Sequence, residues 1–97
     1  MLYSHLDRPR LKTSCEISVV NELGLHARPA AEFVRLANSF ISEISIVRNG
    51  RRYSAQSLID VMRANLACGD IATLEAEGVD AERALLKLSA LLKTFVD

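Results

Sequence analysis

The chain has no tryptophan, two tyrosines and three phenylalanines. Modules that stack unpaired RNA bases need exposed aromatic side chains on a sheet, and only Tyr53 falls near an expected strand. A surplus of positive charge is missing too. Lysine plus arginine is 12 and aspartate plus glutamate is 12, a net charge of zero, which removes the footprint of a nonspecific nucleic-acid binder. Cysteine is scarce. Cys15 and Cys68 are too few and too far apart for a disulfide framework or a metal site, and read as reduced thiols of a cytoplasmic protein. Neither a metal nor another cofactor is expected. No apolar run approaches the roughly 20 residues of a membrane helix. The segment from Met1 to Lys12 carries His5, Asp7, Arg8, Arg10 and Lys12 without an apolar stretch, so it is not read as a secretory signal.

What is present is an ordinary globular balance, 49% hydrophobic and 25% charged over 97 residues, enough for one domain that buries roughly 64% of its unfolded surface. Residues 1–14 read as a mobile N-terminal extension with an idle His5, and residues 15–97 as the single domain. From Cys15 the pattern alternates: Cys15, Ile17 and Val19 against Glu16 and Ser18, a strand with one buried face. After a break at 21–24, Ala30, Phe33, Val34 and Ala37 recur at helical spacing, with Pro29 in the first turn and an end near Ser39. Ile44 and Ile46 then alternate with Glu43 and Ser45. Asn49-Gly50 follows as a hairpin turn, because both residues tolerate positive φ, and the return strand runs from Arg51 to Ala55.

Ser57-Leu-Ile-Asp60 has the spacing of a capping box and predicts a short helix through Ala64, stopped at Asn65. Ala72, Leu74 and Ala76 mark a last strand that Gly78 ends. Asp80 is placed to cap a final helix whose stripe is Ala81, Ala84, Leu85, Leu88, Leu91, Leu92 and Phe95. The order β-α-β-β-α-β-α predicts an α+β fold: an open-faced β-sandwich, with a four-stranded antiparallel sheet and three helices on one face. Its other face, carrying Glu16, Ser18, Glu43, Ser45, Glu75 and Glu77, is wet.

Gly24-Leu-His-Ala-Arg-Pro concentrates chemistry at the junction of the first strand and helix. His26 stands where the helix begins. The first-turn amides, Ala27 and Arg28, lack partners within a helix and form an anion site. Imidazole attacks phosphorus as the neutral ring, the form that the positive end of a helix favours. Arg28 adds a fixed charge and a planar fork matched to phosphate oxygens. The arrangement suits a phosphoryl acceptor. A histidine that merely caps its helix or hydrogen-bonds locally is the plain alternative, and an isolated His-x-Arg-Pro does not decide between them.

Longer motifs do. Gly24-Leu-His-Ala-Arg-Pro-Ala-Ala31, Asn49-Gly50, Ala55-Gln-Ser57-Leu, Val61-Met62 and Glu77-Gly78 follow one another at set spacing. In this the chain, from about Glu16 to Phe95, resembles the HPr family, the histidine-containing phosphocarriers of the phosphoenolpyruvate-dependent sugar phosphotransferase system. The resemblance implies that His26 accepts phosphate on Nδ1 from enzyme I and passes it to enzyme IIA domains, as a carrier rather than a stand-alone enzyme. It implies that Arg28 steadies the phosphate, that Ser57 is the serine modified by an HPr kinase/phosphorylase, and that Leu58, Ile59, Met62 and Arg63 dock partners. An apolar cluster rimmed by Arg28 and Arg63 also suits transient binding to an acidic partner on physical grounds; the alternative places Leu58 and Met62 in the core. Four residues depart from the family's usual pattern: Leu23 for asparagine or serine, Gln56 for lysine, Asp60 for glycine or lysine, and Asn65 for glycine. Gln56 and Asp60 lower the positive charge around Ser57 and leave open a regulatory relative with no direct part in sugar uptake. A cytoplasmic monomer without nucleic-acid or membrane partners is expected.

Overall fold

An Asn-Gly pair shows how directly local chemistry shapes this chain. In a computed structural model, which describes residues 11–96, Asn49 and Gly50 take φ of 52° and 77°, and Arg48 pairs with Arg51 across them. They close the hairpin of β2 (Glu43–Arg48) and β3 (Arg51–Ser54). The remaining elements are β1 (Lys12–Ser18), α1 (Ala27–Ala37), α2 (Leu58–Ala64), β4 (Ile71–Glu77) and α3 (Ala81–Leu92). Their order is the expected β-α-β-β-α-β-α. The strands form one antiparallel sheet in the order β1-β4-β2-β3. α3 lies along β1 and β4, α2 lies beside β2 and β3, and α1 rests against both helices.

The core fills the space between the sheet and the helices. Phe33 of α1, Ile44 and Ile46 of β2, Val61 of α2, Leu74 of β4 and Leu88 of α3 are fully buried. Fully burying an aliphatic or aromatic side chain stabilises by roughly 1.5–3 kcal/mol, so these six form the centre of the apolar contribution. The outer face carries Glu16, Ser18, Glu43, Ser45, Glu75 and Glu77, all at least partly exposed. Tyr53 instead packs on the core side. The described strands therefore hold no aromatic platform of the kind that stacks bases.

Three boundaries differ from the sequence expectation. β1 begins at Lys12 rather than Cys15, because Lys12, Thr13 and Ser14 pair with Glu77, Ala76 and Glu75 of β4; a partner strand, not alternation, recruits them. The rest of the expected extension, residues 1–10 with His5, lies outside the described residues. β3 stops at Ser54, one residue short of Ala55. α3 stops at Leu92, so Phe95 meets the core from beyond the helix.

Asp80 is the N-cap residue of α3, yet its side chain makes no capping bond. Its carboxylate instead accepts the amides of Ile41 and Ser42, both at 2.9 Å, and the Ser42 hydroxyl at 2.6 Å. The Ser42 hydroxyl, then the Ile41 amide, hold its carboxyl below the usual value. Ser42 itself is buried against Gly78, where an added Cβ would lie 2.7 Å from the Ser42 Cα. The α1–β2 loop and the β4–α3 turn are thereby locked together.

Candidate functional site

The loop from Val19 to His26 is held by hydrogen bonds to the α2–β4 loop and to itself. Val19 N donates to Asp70 O and Gly69 N to Val19 O. Gly24 N donates to Asn21 O at 3.1 Å, and the Asn21 amide Nδ2 donates back to Gly24 O at 2.7 Å. His26 N also donates to Gly24 O, and Leu25 N to Leu66 O, both at 2.9 Å. Gly24 has φ of +70°, and a Cβ there would lie 2.6 Å from Leu66 O and 2.9 Å from Ala67 Cα. Only glycine lets the two loops approach so closely.

This framework sets His26 at the N-cap of α1, with φ −78° and ψ −173°. Its carbonyl accepts Ala30 N at 2.9 Å, but its side chain makes no capping bond. The His26 side chain therefore does not cap α1. Pro29 has no N–H, so the first-turn amides left without an intrahelical acceptor are those of Ala27 and Arg28. The sequence expected these same two. Arg28 is exposed and, with Pro29, Glu32, Thr94, Phe95 and Val96, lines a cleft beside α1. The His26 ring is partly buried, with its Nε2 out of contact with solvent. A partly sheltered imidazole, two first-turn amides without an intrahelical acceptor and an exposed guanidinium thus follow one another at the start of α1.

α2 supplies the adjoining surface. Val61 and Ala64 face the core, which turns Leu58, Ile59 and Met62 outward, Ile59 with 71% of its surface exposed. The alternative of a buried Leu58 and Met62 does not hold. Arg63 is exposed beside them. Ser57 caps the helix, its hydroxyl accepting Asp60 N at 3.3 Å. The reciprocal half of the expected capping box is missing. The Asp60 carboxylate accepts Ser54 N at 3.0 Å and faces Arg63 at 3.8 Å, because aspartate is one methylene shorter than the usual glutamate. Asn65 ends the helix in the left-handed conformation with φ 52° and ψ 53°, as expected. The chain then runs through Leu66, whose carbonyl holds Leu25, so the docking candidates and His26 share one support.

The family departures have defined places. Leu23 is exposed. The Gln56 Oε1 accepts Ile44 N at 3.3 Å, and its Nε2 donates to Ala37 O at 3.2 Å and Ser42 O at 3.0 Å. It ties the residue before Ser57 to α1 and β2. Sequence reasoning missed Asn21, Leu66, Arg48 and Asp70. The only signal available for Asn21 was a polar residue in a break between apolar segments. Among the described residues, no group of His, Cys, Asp or Glu has the geometry to hold a metal, Cys15 and Cys68 form no disulfide, and no helix is long and apolar enough to cross a membrane.

Comparison with known proteins points the same way. The family model described as the PTS HPr component phosphorylation site matches residues 13–94. The phosphocarrier protein HPr of Cupriavidus necator is 39% identical over 77 residues, 79% of this chain and 86% of that protein. The HPr-like protein Crh of Bacillus subtilis is 37% identical over 78 residues, 80% of this chain and 92% of that protein. Among solved structures, an HPr from Thermoanaerobacter tengcongensis superposes with a TM-score of 0.82 at 35% identity, covering 84% of this chain and 92% of that one. The motif around His26, the helix that presents it and a match spanning nearly the whole described chain agree: the chain belongs to the HPr family of phosphocarriers of the phosphotransferase system.

Proposed function

We propose that the protein accepts a phosphoryl group from enzyme I on His26 and delivers it to enzyme IIA components, acting as a cytoplasmic monomer. The observation that carries this reading is the position of His26: an N-cap residue whose side chain does not cap, directly before two first-turn amides and Arg28. In the accepting step a lone pair of the neutral ring attacks phosphorus. The new N–P bond forms as the donor's bond to phosphorus breaks, and the donor keeps that bonding pair. Nδ1 is the attacking nitrogen in this reading, as the family resemblance implies, and the burial of Nε2 supports it. The Ala27 and Arg28 amides and the Arg28 guanidinium stabilise charge on the equatorial oxygens. The site is open and rimmed by few donors, so the phosphoryl group is held loosely enough to leave for the next acceptor.

Leu58, Ile59 and Met62, with Arg63, form the surface that meets enzyme I and the IIA domains. Ser57 is the regulatory site for an HPr kinase/phosphorylase. Phosphate on that residue adds about two negative charges beside the docking surface.

Incubation with enzyme I and phosphoenolpyruvate, followed by mass spectrometry, tests the reading. One acid-labile, base-stable phosphoryl group is expected, absent from a His26→Ala variant that keeps its circular dichroism spectrum. Uptake of phosphate by the His26→Ala variant would refute the assignment. The likeness to Crh of Bacillus subtilis, described as a catabolite repression HPr, supports a second reading, a regulatory protein with no direct role in sugar uptake. Failure of the phosphorylated chain to transfer to any IIA domain of its own cell would favour it.

A further inference from the structure

We infer that Asn21 is the positioning residue that sets His26 for phosphoryl transfer. The inference rests on the phosphocarrier reading. Asn21 is only 2% exposed, so it does not itself meet a partner protein. It nevertheless grips Gly24 from two directions. Its backbone carbonyl accepts Gly24 N at 3.1 Å, and its side-chain Nδ2 donates to Gly24 O at 2.7 Å.

That same Gly24 carbonyl accepts His26 N at 2.9 Å. A contact that spans two residues is a γ-turn, closed by one short-range hydrogen bond. The Asn21 side chain fixes the carbonyl on which this turn depends. Leu25 N on Leu66 O and Ala30 N on His26 O complete the set, so the backbone of His26 is held from both sides. Leu23, the exposed residue within the turn, has an aliphatic side chain and gives no hydrogen bond to this framework. The duty of setting the loop therefore falls on a buried residue two positions earlier.

The physical consequence is specific. Losing the Nδ2 donor leaves the Gly24 carbonyl with a single short-range bond and lets the imidazole drift from the line of attack. Transfer chemistry is steeply sensitive to such displacement. Docking is far less so, because the Asn21 side chain bonds Gly24 and not α2, which carries Leu58, Ile59, Met62 and Arg63. A residue that served stability alone would change the melting temperature and leave the turnover of the folded protein intact.

The test is steady-state phosphorylation of the full chain by enzyme I and phosphoenolpyruvate, with parent, Asn21→Asp, Asn21→Ser and Asn21→Ala compared. Asn21→Asp keeps the shape and removes the donor. Asn21→Ser keeps a donor on a shorter arm and serves if the alanine variant does not fold. We expect kcat to fall on the order of tenfold in Asn21→Asp with KM for this protein unchanged, and Asn21→Ser to lie between it and the parent. Amide exchange at His26 is expected to quicken in step with the loss of kcat. Parent-level kcat in folded Asn21→Asp, or a loss confined to KM, overturns the inference. A parent chain that takes no phosphate overturns the phosphocarrier reading instead.

Discussion

Arg48 and Asp70 close a clamp around the loop that supports His26. Arg48 Nη2 lies 2.9 Å from Asp70 Oδ2, while its Nη1 donates to the carbonyls of Ala64 at 2.7 Å and Asn65 at 2.9 Å. Asp70 Oδ2 also accepts Ala67 N at 2.8 Å. One guanidinium thus satisfies the last carbonyls of α2 and pins the loop containing Leu66. Arg48→Ala is expected to destabilise the fold by about 2 kcal/mol, the usual loss for hydrogen bonds to a charged group. Arg48→Lys is expected to recover little, since an ammonium does not reproduce the fork. Urea denaturation of both variants checks this; equal midpoints for parent and Arg48→Ala would show that the clamp contributes nothing.

Arg28 is expected to matter for rate and not for stability. Its side chain is exposed, and surface substitutions usually stay within about 0.5 kcal/mol. A donor aimed at charge that develops in a transition state is worth far more, on the order of a hundredfold in rate. Melting temperature and phosphoryl-transfer rate of Arg28→Ala, measured side by side, separate the two. An unchanged rate removes Arg28 from the site.

Ser57→Asp is expected to keep the circular dichroism spectrum and to accept phosphate on His26 more slowly. An acidic side chain at the start of α2 still suits the helix dipole. It also places negative charge, in addition to Asp60, beside Leu58 and Ile59. Repulsion from an acidic partner slows encounter, and salt screens it over about 10 Å at 0.1 M. Rates at low and high ionic strength check this. A rate equal to the parent's at low salt would leave Ser57 as a helix cap only.

Asp80 gives the fold an acid-sensitive joint. Its folded pKa is lowered below the reference value of 3.8, first by the Ser42 hydroxyl and then by the Ile41 amide. A depressed folded pKa adds stability above the unfolded value and loses it as pH falls through the folded one. The parent is therefore expected to melt above Asp80→Asn at about pH 6, with the gap closing toward about pH 2. Thermal melts of both proteins across this range test the sign. A gap independent of pH would mean that the carboxylate's charge plays no part.

What could be read from the sequence follows the range of each interaction. The Asn49-Gly50 hairpin, the Ser57 cap and the Asn65 stop depend on neighbours within a few residues, and each forms as expected. The junction that carries His26 and Arg28 forms where expected for the same reason, since it too is local. Asp60 and Asp80 were identified at helix starts, but their carboxylates turn to Ser54 and to Ile41 and Ser42; spacing reports a cap and not its competitors. β1 starts early because Lys12–Ser14 are chosen by β4, and Thr13 carries no apolar signal. Asn21, Arg48 and Asp70 act on backbone carbonyls and amides. Every residue offers such groups, so no pattern of side chains announces them.

The seam where Gly24 lies against Leu66 and Ala67 also has a consequence in time. It joins segments roughly 40 residues apart, and contacts of that span come late because loop closure precedes their gain. The turn at Asn21, α1 and the hairpin at Asn49-Gly50 form from near neighbours, but the histidine loop gains its bond to Leu66 and its seam with Ala67 only once α2 and the residues after it are in place. A chain still folding, or one opened at α2, presents His26 without its frame. On the proposed function, competence to carry phosphate would report that the fold is complete.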